Sequence, residues 1–150
     1  MTNKAADILL VEDNPSDARF TQVSLEDLRI FNSVELVTTG DQALDYLYKR
    51  RDHVNATRPD MVLLDWNLPG VDGSEVLQII REDEDLKSIP VVVLTGSREQ
   101  IDVLKAYHLQ ANCYITKPVD LDGLTTILDA CDFGMTIVKR VPKASSESNV

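Results

Sequence analysis

Several absences narrow the classes open to this chain. No apolar run in its 150 residues approaches the roughly 20 needed to cross a bilayer. The opening stretch MTNKAAD has no apolar signal core, so a cytoplasmic protein with no membrane partner is expected. Cysteine is scarce. Cys113 and Cys131 each lie in an apolar segment, and two buried thiols are expected rather than a disulfide. The two histidines, His53 and His108, are far apart in sequence, which argues against a zinc site. Positive charge is in deficit, with 15 Lys and Arg against 25 Asp and Glu and a net charge of −10. Phosphate backbones need clustered cations, so no nucleic-acid partner is expected. The acidity itself reads as solubility. No GxGxxG or other glycine-rich phosphate loop follows the first apolar run, which counts against a nucleotide or flavin module. There is no internal repeat.

What is present fits one soluble domain with a real core: 43% apolar and 27% charged residues. Apolar runs alternate with amphipathic stretches. Ile8 to Val11, Met61 to Leu64 and Val91 to Leu94 are short continuous runs, the pattern of strands buried on both faces. Ser33 to Val37 alternates, with Val34 and Leu36 on one side, and reads as a strand nearer an edge; Cys113 to Ile115 is a shorter fifth. Between them lie helical patterns. Ser16 to Leu28 follows the start signal Asn14-Pro15, although Phe20 and Val23 do not share a face with Ala18, Leu25 and Leu28. Ala43, Leu44, Leu47 and Tyr48 share one helical face, and Val76, Leu77 and Ile80 another. Ile101 and Leu104 mark a fourth helix; Leu121, Leu124, Leu128 and Cys131, begun by Asp120, mark a fifth.

Five strands alternating with five helices predict an α/β, doubly wound, five-stranded parallel sheet covered on both faces. Right-handed crossovers leave few topologies, and the flavodoxin-like order 2-1-3-4-5 is preferred. Lys49 to Pro59 reads as a long polar loop. Its basic run Lys49, Arg50, Arg51 reads as a solvated helix end, where positive charge suits the dipole. The domain is expected over residues 1–138, followed by a polar, disordered tail over 139–150 that is too short for a DNA-reading head.

The acidic residues fall where chemistry is expected. Glu12 and Asp13 follow the first strand and Asp65 follows the third. In the preferred topology these two strand ends are neighbours at the switch point, where open α/β sheets bind ligands. Three converging carboxylates would repel one another, and a hard divalent cation resolves the conflict. Ligand type points to magnesium, with manganese also suited. A lone acidic pair has a blander reading, a solvated helix start. Here it has company: Thr95-Gly96-Ser97 ends the fourth strand and Lys117-Pro118 follows the fifth. A cation, the Lys117 ammonium and the Thr95 hydroxyl around Asp65 make a cradle for a phosphoryl group. Asp65, already ionised at neutral pH, then acts as the nucleophile and forms an acyl phosphate.

Four motifs, ILLVEDN, LLDWNLPGVDG, VVVLTGS and CYITKPVD, together resemble the receiver domains of two-component response regulators, from about Asp7 to about Val138. The resemblance implies that Asp65 is phosphorylated by a sensor histidine kinase. It also implies that Glu12, Asp13 and Asp65 bind magnesium with the backbone carbonyl of Asn67, and that Thr95 and Lys117 contact the phosphoryl group. It makes Thr95 and Tyr114 a two-state switch and the Lys117-Pro118 bond cis. Tyr114 also reads simply as a buried aromatic. Trp66 reads either as a gate beside the acceptor or as a partly exposed side chain. His108 reads as a surface or partner-facing residue.

Further segments, VLKAYHLQANCYITKPVDLD and DFGMTIVKRVP, resemble regulators paired with bacterial phytochrome kinases. In that group a C-terminal arm helps form a homodimer. Here Phe133, Met135, Ile137 and Val138 are its apolar residues, while Gly134 stands where a bulky aromatic is common. The expected function is a single-domain regulator that signals by a conformational or dimer change, or else a phosphate sink in a phosphorelay. It is not expected to be an enzyme beyond magnesium-dependent self-phosphorylation and slow self-dephosphorylation. An aspartyl-phosphate hydrolase is disfavoured, because such enzymes carry a second aspartate where this chain has Asn67.

Overall fold

In a parallel sheet covered on both faces, successive side chains of a strand must both be apolar, and the central strands meet that demand. The computed structural model describes residues 6–28, 31–106 and 111–130. It contains strands β1 (Ala6–Val11), β2 (Phe31–Val37), β3 (Met61–Asp65), β4 (Val91–Thr95) and β5 (Cys113–Thr116). The helices are α1 (Pro15–Leu28), α2 (Gly40–Leu47), α3 (Gly73–Glu82), α4 (Arg98–Ala106) and α5 (Leu121–Ala130). The strands form one parallel sheet in the order β2-β1-β3-β4-β5, as the alternating pattern requires.

Period-two alternation divides each strand between two cores. Ile8, Leu10, Met61, Leu63, Val92 and Leu94 pack with Ala18 and Leu25 of α1 and Leu124 and Ile127 of α5. Leu9, Val11, Val62, Leu64, Val91 and Val93 pack instead with Ala43, Leu47, Val76, Leu77, Ile80 and Leu104 of α2, α3 and α4. The split face of α1 resolves cleanly: Ala18 and Leu25 are buried, whereas Phe20 and Val23 are exposed. On β2, an edge strand as its alternation suggests, Val34 and Leu36 are only partly buried. β2 begins at Phe31 rather than Ser33, because its pairing with β1 continues back to Ala6↔Phe31 across a register shift.

Every helix starts just beyond the carboxyl end of a strand, and each start is capped by a side-chain oxygen. Asn14, Thr39, Asp72, Ser97 and Asp120 accept hydrogen bonds from the backbone N–H of Asp17, Gln42, Glu75, Gln100 and Gly123, respectively. Caps of this kind contribute about 1 kcal/mol each. They also fix where each loop at this edge of the sheet ends.

The basic run lies at the end of α2, and its three residues are exposed, as expected. α2 stops at Leu47, and the chain turns through Lys49 at φ 56°. The Arg50 N–H donates to the Asp45 carbonyl at 2.8 Å and the Lys49 N–H to the Tyr46 carbonyl at 3.2 Å, the two bonds of a Schellman turn. Arg50 and Arg51 pair with the Asp45 carboxylate at 3.3 and 3.2 Å, and Arg50 lies 4.9 Å over the Tyr48 ring. Part of the expected loop is a single 3₁₀ turn, Arg51–His53. His53 meets the Tyr46 ring edge-on at 5.4 Å. Cys113 is buried, as expected, whereas Cys131 and His108 lie outside the described residues.

A left-handed residue with a Cβ is strained at this position, which glycine occupies freely. Lys49→Gly should therefore stabilise the domain by about 0.5–1 kcal/mol after the entropy of the added glycine is counted. Urea unfolding should show a higher midpoint with an unchanged slope.

Candidate functional site

β1 and β3 are hydrogen-bonded neighbours, with Val11 opposite Leu64. The next residue on each strand is acidic, so Glu12 and Asp65 stand side by side at the carboxyl edge. Asp65 is the last residue of β3 rather than the first after it, because its pairing with Leu94 extends the ladder. Both carboxylates are buried, at 1% and 2% exposure. Asp13 is exposed, yet one oxygen each of Glu12, Asp13 and Asp65 lie within 4.8 Å of one another.

Two carboxylates removed from water and placed together cannot both ionise freely. Burial, followed by the hydrogen bond and charge of Asp65, pushes the Glu12 carboxyl up to about 7, against the backbone N–H of Asn14 and the Lys117 ammonium. Lys117 reaches the site from the turn after β5. Its Nζ lies 3.1 Å from Glu12 Oε1, 2.9 Å from Asp17 Oδ2 and 3.5 Å from Asp65 Oδ2. Burial alone would lower the Lys117 pKa, but Asp17, Glu12 and Asp65 outweigh it and raise the value. The Lys117 N–H donates to the Thr95 carbonyl at 2.7 Å, which ties this turn to the end of β4, and the Lys117-Pro118 bond is cis.

The β3–α3 loop wraps Asp65. The Asn67 N–H donates to Asp65 Oδ1 at 3.2 Å. At the start of α3, Gly73 is pressed against this loop: a Cβ there would come within 2.9 Å of Trp66 Cα and O. Trp66 is partly buried and, with Asp13, Asn67, Asp72 and Gln100, lines an open groove of about 570 Å³ beside the acidic cluster.

Thr95 is fully buried at the end of β4, and its hydroxyl is engaged by the Gln100 side chain of α4. Tyr114, on β5 opposite Val93, is partly buried against the core beneath α4. Its burial raises its pKa, against the backbone of Ala111. Thus Glu12, Asp13, Asp65, Asn67 and Lys117 are gathered at one point, Thr95 stands at the adjoining strand end, and Tyr114 is set back along β5. The apolar arm residues Phe133, Met135, Ile137 and Val138 lie outside the described residues.

Two site residues escaped the sequence reading: Asp17 and Gln100. Each sits on the helix that follows a site strand, where a polar residue looks like an ordinary solvated position. The signal for Asp17 was its place three residues after the Asn14 cap, which returns its side chain to the strand end. The donor set fits a hard divalent cation: clustered carboxylate oxygens, two of them buried, with repulsion that a dication would offset. Among the described residues, no helix is long and apolar enough to cross a membrane.

The family model for the response regulator receiver domain matches residues 8–129. Response regulator Rcp1 of Synechocystis sp. is 44% identical over 117 residues, spanning 78% of this chain and 80% of that protein. The solved Mn(2+)-bound form of Rcp1 superposes with a TM-score of 0.71 at 38% identity, covering 91% of this chain and 99% of that one. The bacteriophytochrome response regulator AtBRR superposes with a TM-score of 0.81 at 40% identity, covering 86% and 94%. The phosphorylated cyanobacterial phytochrome response regulator RcpA gives 0.71 at 37% identity, covering 93% and 98%.

The raised Glu12 pKa has a sign that can be measured. Below about 4.5, Glu12 is protonated in both folded and unfolded chains, so it contributes no pH dependence. Between that value and about 7, the unfolded chain ionises while the folded chain keeps its proton. Folding stability without metal should therefore fall across this window, by up to about 3 kcal/mol from this group. Urea midpoints measured from pH 5 to 7.5 should decline without metal, and a millimolar divalent cation should reverse much of the decline. Glu12→Gln should flatten the metal-free trend, and a midpoint that climbs over the window in the parent protein would contradict this account.

Proposed function

The chain belongs to the response regulator receiver family, and on that premise we propose that Asp65 accepts a phosphoryl group from a phosphohistidine on a sensor histidine kinase. The family is one of regulators, not of catalytic enzymes. The observation that carries the proposal is the buried Asp65 carboxylate, set against the acidic cluster with the Lys117 ammonium 3.5 Å away.

In the proposed reaction an Asp65 oxygen attacks phosphorus in line. The P–O bond forms as the P–N bond to the donor imidazole breaks, and the imidazole leaves with the bonding pair. No general base is required. Asn67 orients the carboxylate by donating its backbone N–H to the oxygen facing the loop. Lys117 offers positive charge to the transferred group, and Thr95 offers a hydroxyl once it leaves Gln100. Glu12, Asp13, Asp65 and the Asn67 carbonyl would hold magnesium, with manganese as a substitute, and the ion would supply charge neutralisation between the two anions. Small acyl phosphates can serve as donors in self-phosphorylation, and water slowly cleaves the product.

The regulatory reading follows from the neighbours of Thr95. A hydroxyl drawn toward phosphorylated Asp65 releases Gln100 on α4, and Tyr114 lies beneath that same helix. The signal is thus proposed to leave through the α4-β5-α5 face. The phytochrome regulators among the similar structures support a bacterial phytochrome kinase as the phosphodonor in the cytoplasm. The domain is proposed to extend over residues 1–138, with the arm from Phe133 to Val138 closing a homodimer.

With acetyl phosphate and magnesium, the parent protein should gain acid-labile phosphate and Asp65→Asn should gain none. Label that persists on the variant would place the acceptor elsewhere. Truncation after Cys131 should halve the mass read by light scattering; equal monomeric masses before and after would remove the arm from the proposal.

A further inference from the structure

Lys117 is shared among three carboxylates, and the closest does not belong to the proposed metal cluster. Its Nζ is 2.9 Å from Asp17 Oδ2, 3.1 and 3.3 Å from the two Glu12 oxygens, and 3.5 Å from Asp65 Oδ2. The first three are hydrogen bonds; the last is an ion pair beyond good hydrogen-bond length. The ammonium has three N–H donors, and its three hydrogen bonds, one to Asp17 and two to Glu12, match that number.

The partners also differ in their hold. Side-chain exposure is 0% for Glu12, 3% for Asp65 and 43% for Asp17. A half-exposed carboxylate regains water when its partner leaves, so the pair it makes is easily exchanged. The buried carboxylates have no such compensation. Asp17 is thus the exchangeable partner of Lys117. It is also placed there by the local fold. Its backbone N–H is taken by the Asn14 cap, which fixes the first turn of α1 and leaves the side chain directed at the site.

We propose that Asp17 is a positioning residue that draws the Lys117 ammonium toward α1 and so limits the positive charge reaching Asp65. With Asp17 in place, the acidic cluster keeps more of its negative charge for a divalent cation. When Asp65 carries a further anionic group, Lys117 can leave Asp17 for it at little cost. The phosphoryl part of this inference rests on Asp65 being the acceptor; the metal part does not.

A double-mutant cycle tests it, with magnesium affinity read from Trp66 fluorescence, the chain's one tryptophan. Asp17→Asn removes the competing charge but keeps the backbone N–H that the cap uses. In the parent background, Lys117 should move onto Asp65, and the magnesium dissociation constant should rise about threefold or more. In a Lys117→Met background the same substitution should change it by less than about 1.5-fold, the residue of the direct charge effect. Asp17→Glu should restore most of the parent affinity. Equal effects in both backgrounds, or tighter binding in the single variant, would overturn the proposal. Failure of the parent protein to take acid-labile phosphate on Asp65 would instead remove the acceptor reading and leave the metal cycle intact as a test of Asp17.

Discussion

Glu12 and Asp65 meet because β1 and β3 are hydrogen-bonded neighbours in register, with Val11 opposite Leu64. That register brings two carboxylates out of water and next to each other, and most other features of the site answer the resulting repulsion. Glu12 responds by holding its proton to about pH 7. Lys117 responds with an ammonium fixed between Glu12, Asp17 and Asp65. Asn14 and Asn67 respond with backbone N–H groups, donated to Glu12 and Asp65 at 3.2 Å each. None of these neutralises the cluster fully, which makes it receptive to a dication.

The scaffold holds that frustration in place with apolar burial. β1, β3 and β4 are buried on both faces, so their ends cannot drift without opening two cores at once. The five capped helix starts then anchor the loops at the same edge. Because all five helices present their N-termini there, their dipoles favour negative charge at this edge and partly offset the cost of gathering carboxylates. Gly73 closes the arrangement, since any side chain at that point would push α3 away from Trp66 and loosen the loop behind Asp65.

Communication from such a site requires an element whose contacts change when charge is added. Thr95 and Gln100 join the end of β4 to α4, and Tyr114 on β5 packs against the core to which Leu104 of that helix belongs. Lys117 and Asp17 join the turn after β5 to α1 on the other side. A charge change at Asp65 therefore has two neighbouring helices within reach, through side chains that already have alternative partners.

The fold was legible in the sequence because its signals are local: continuous apolar runs for strands buried on both faces, helical periodicity between them, and Asn14-Pro15 or Asp120 at helix starts. The strand-end positions of Glu12, Asp13, Asp65, Thr95 and Lys117 were legible for the same reason, since the carboxyl edge of a parallel sheet is where every strand ends. The sequence by itself therefore determined the architecture, the strand order and the residue types of the site. Tertiary structure alone decided the rest. It made Asp17 rather than Asp65 the nearest partner of Lys117, set Gln100 on Thr95, raised the Glu12 pKa and turned Lys49 left-handed. These depend on distances between side chains far apart in sequence, or on how one helix end packs, and electrostatic energies in a low-dielectric site vary steeply with such distances. Spacing along the chain carries no measure of them.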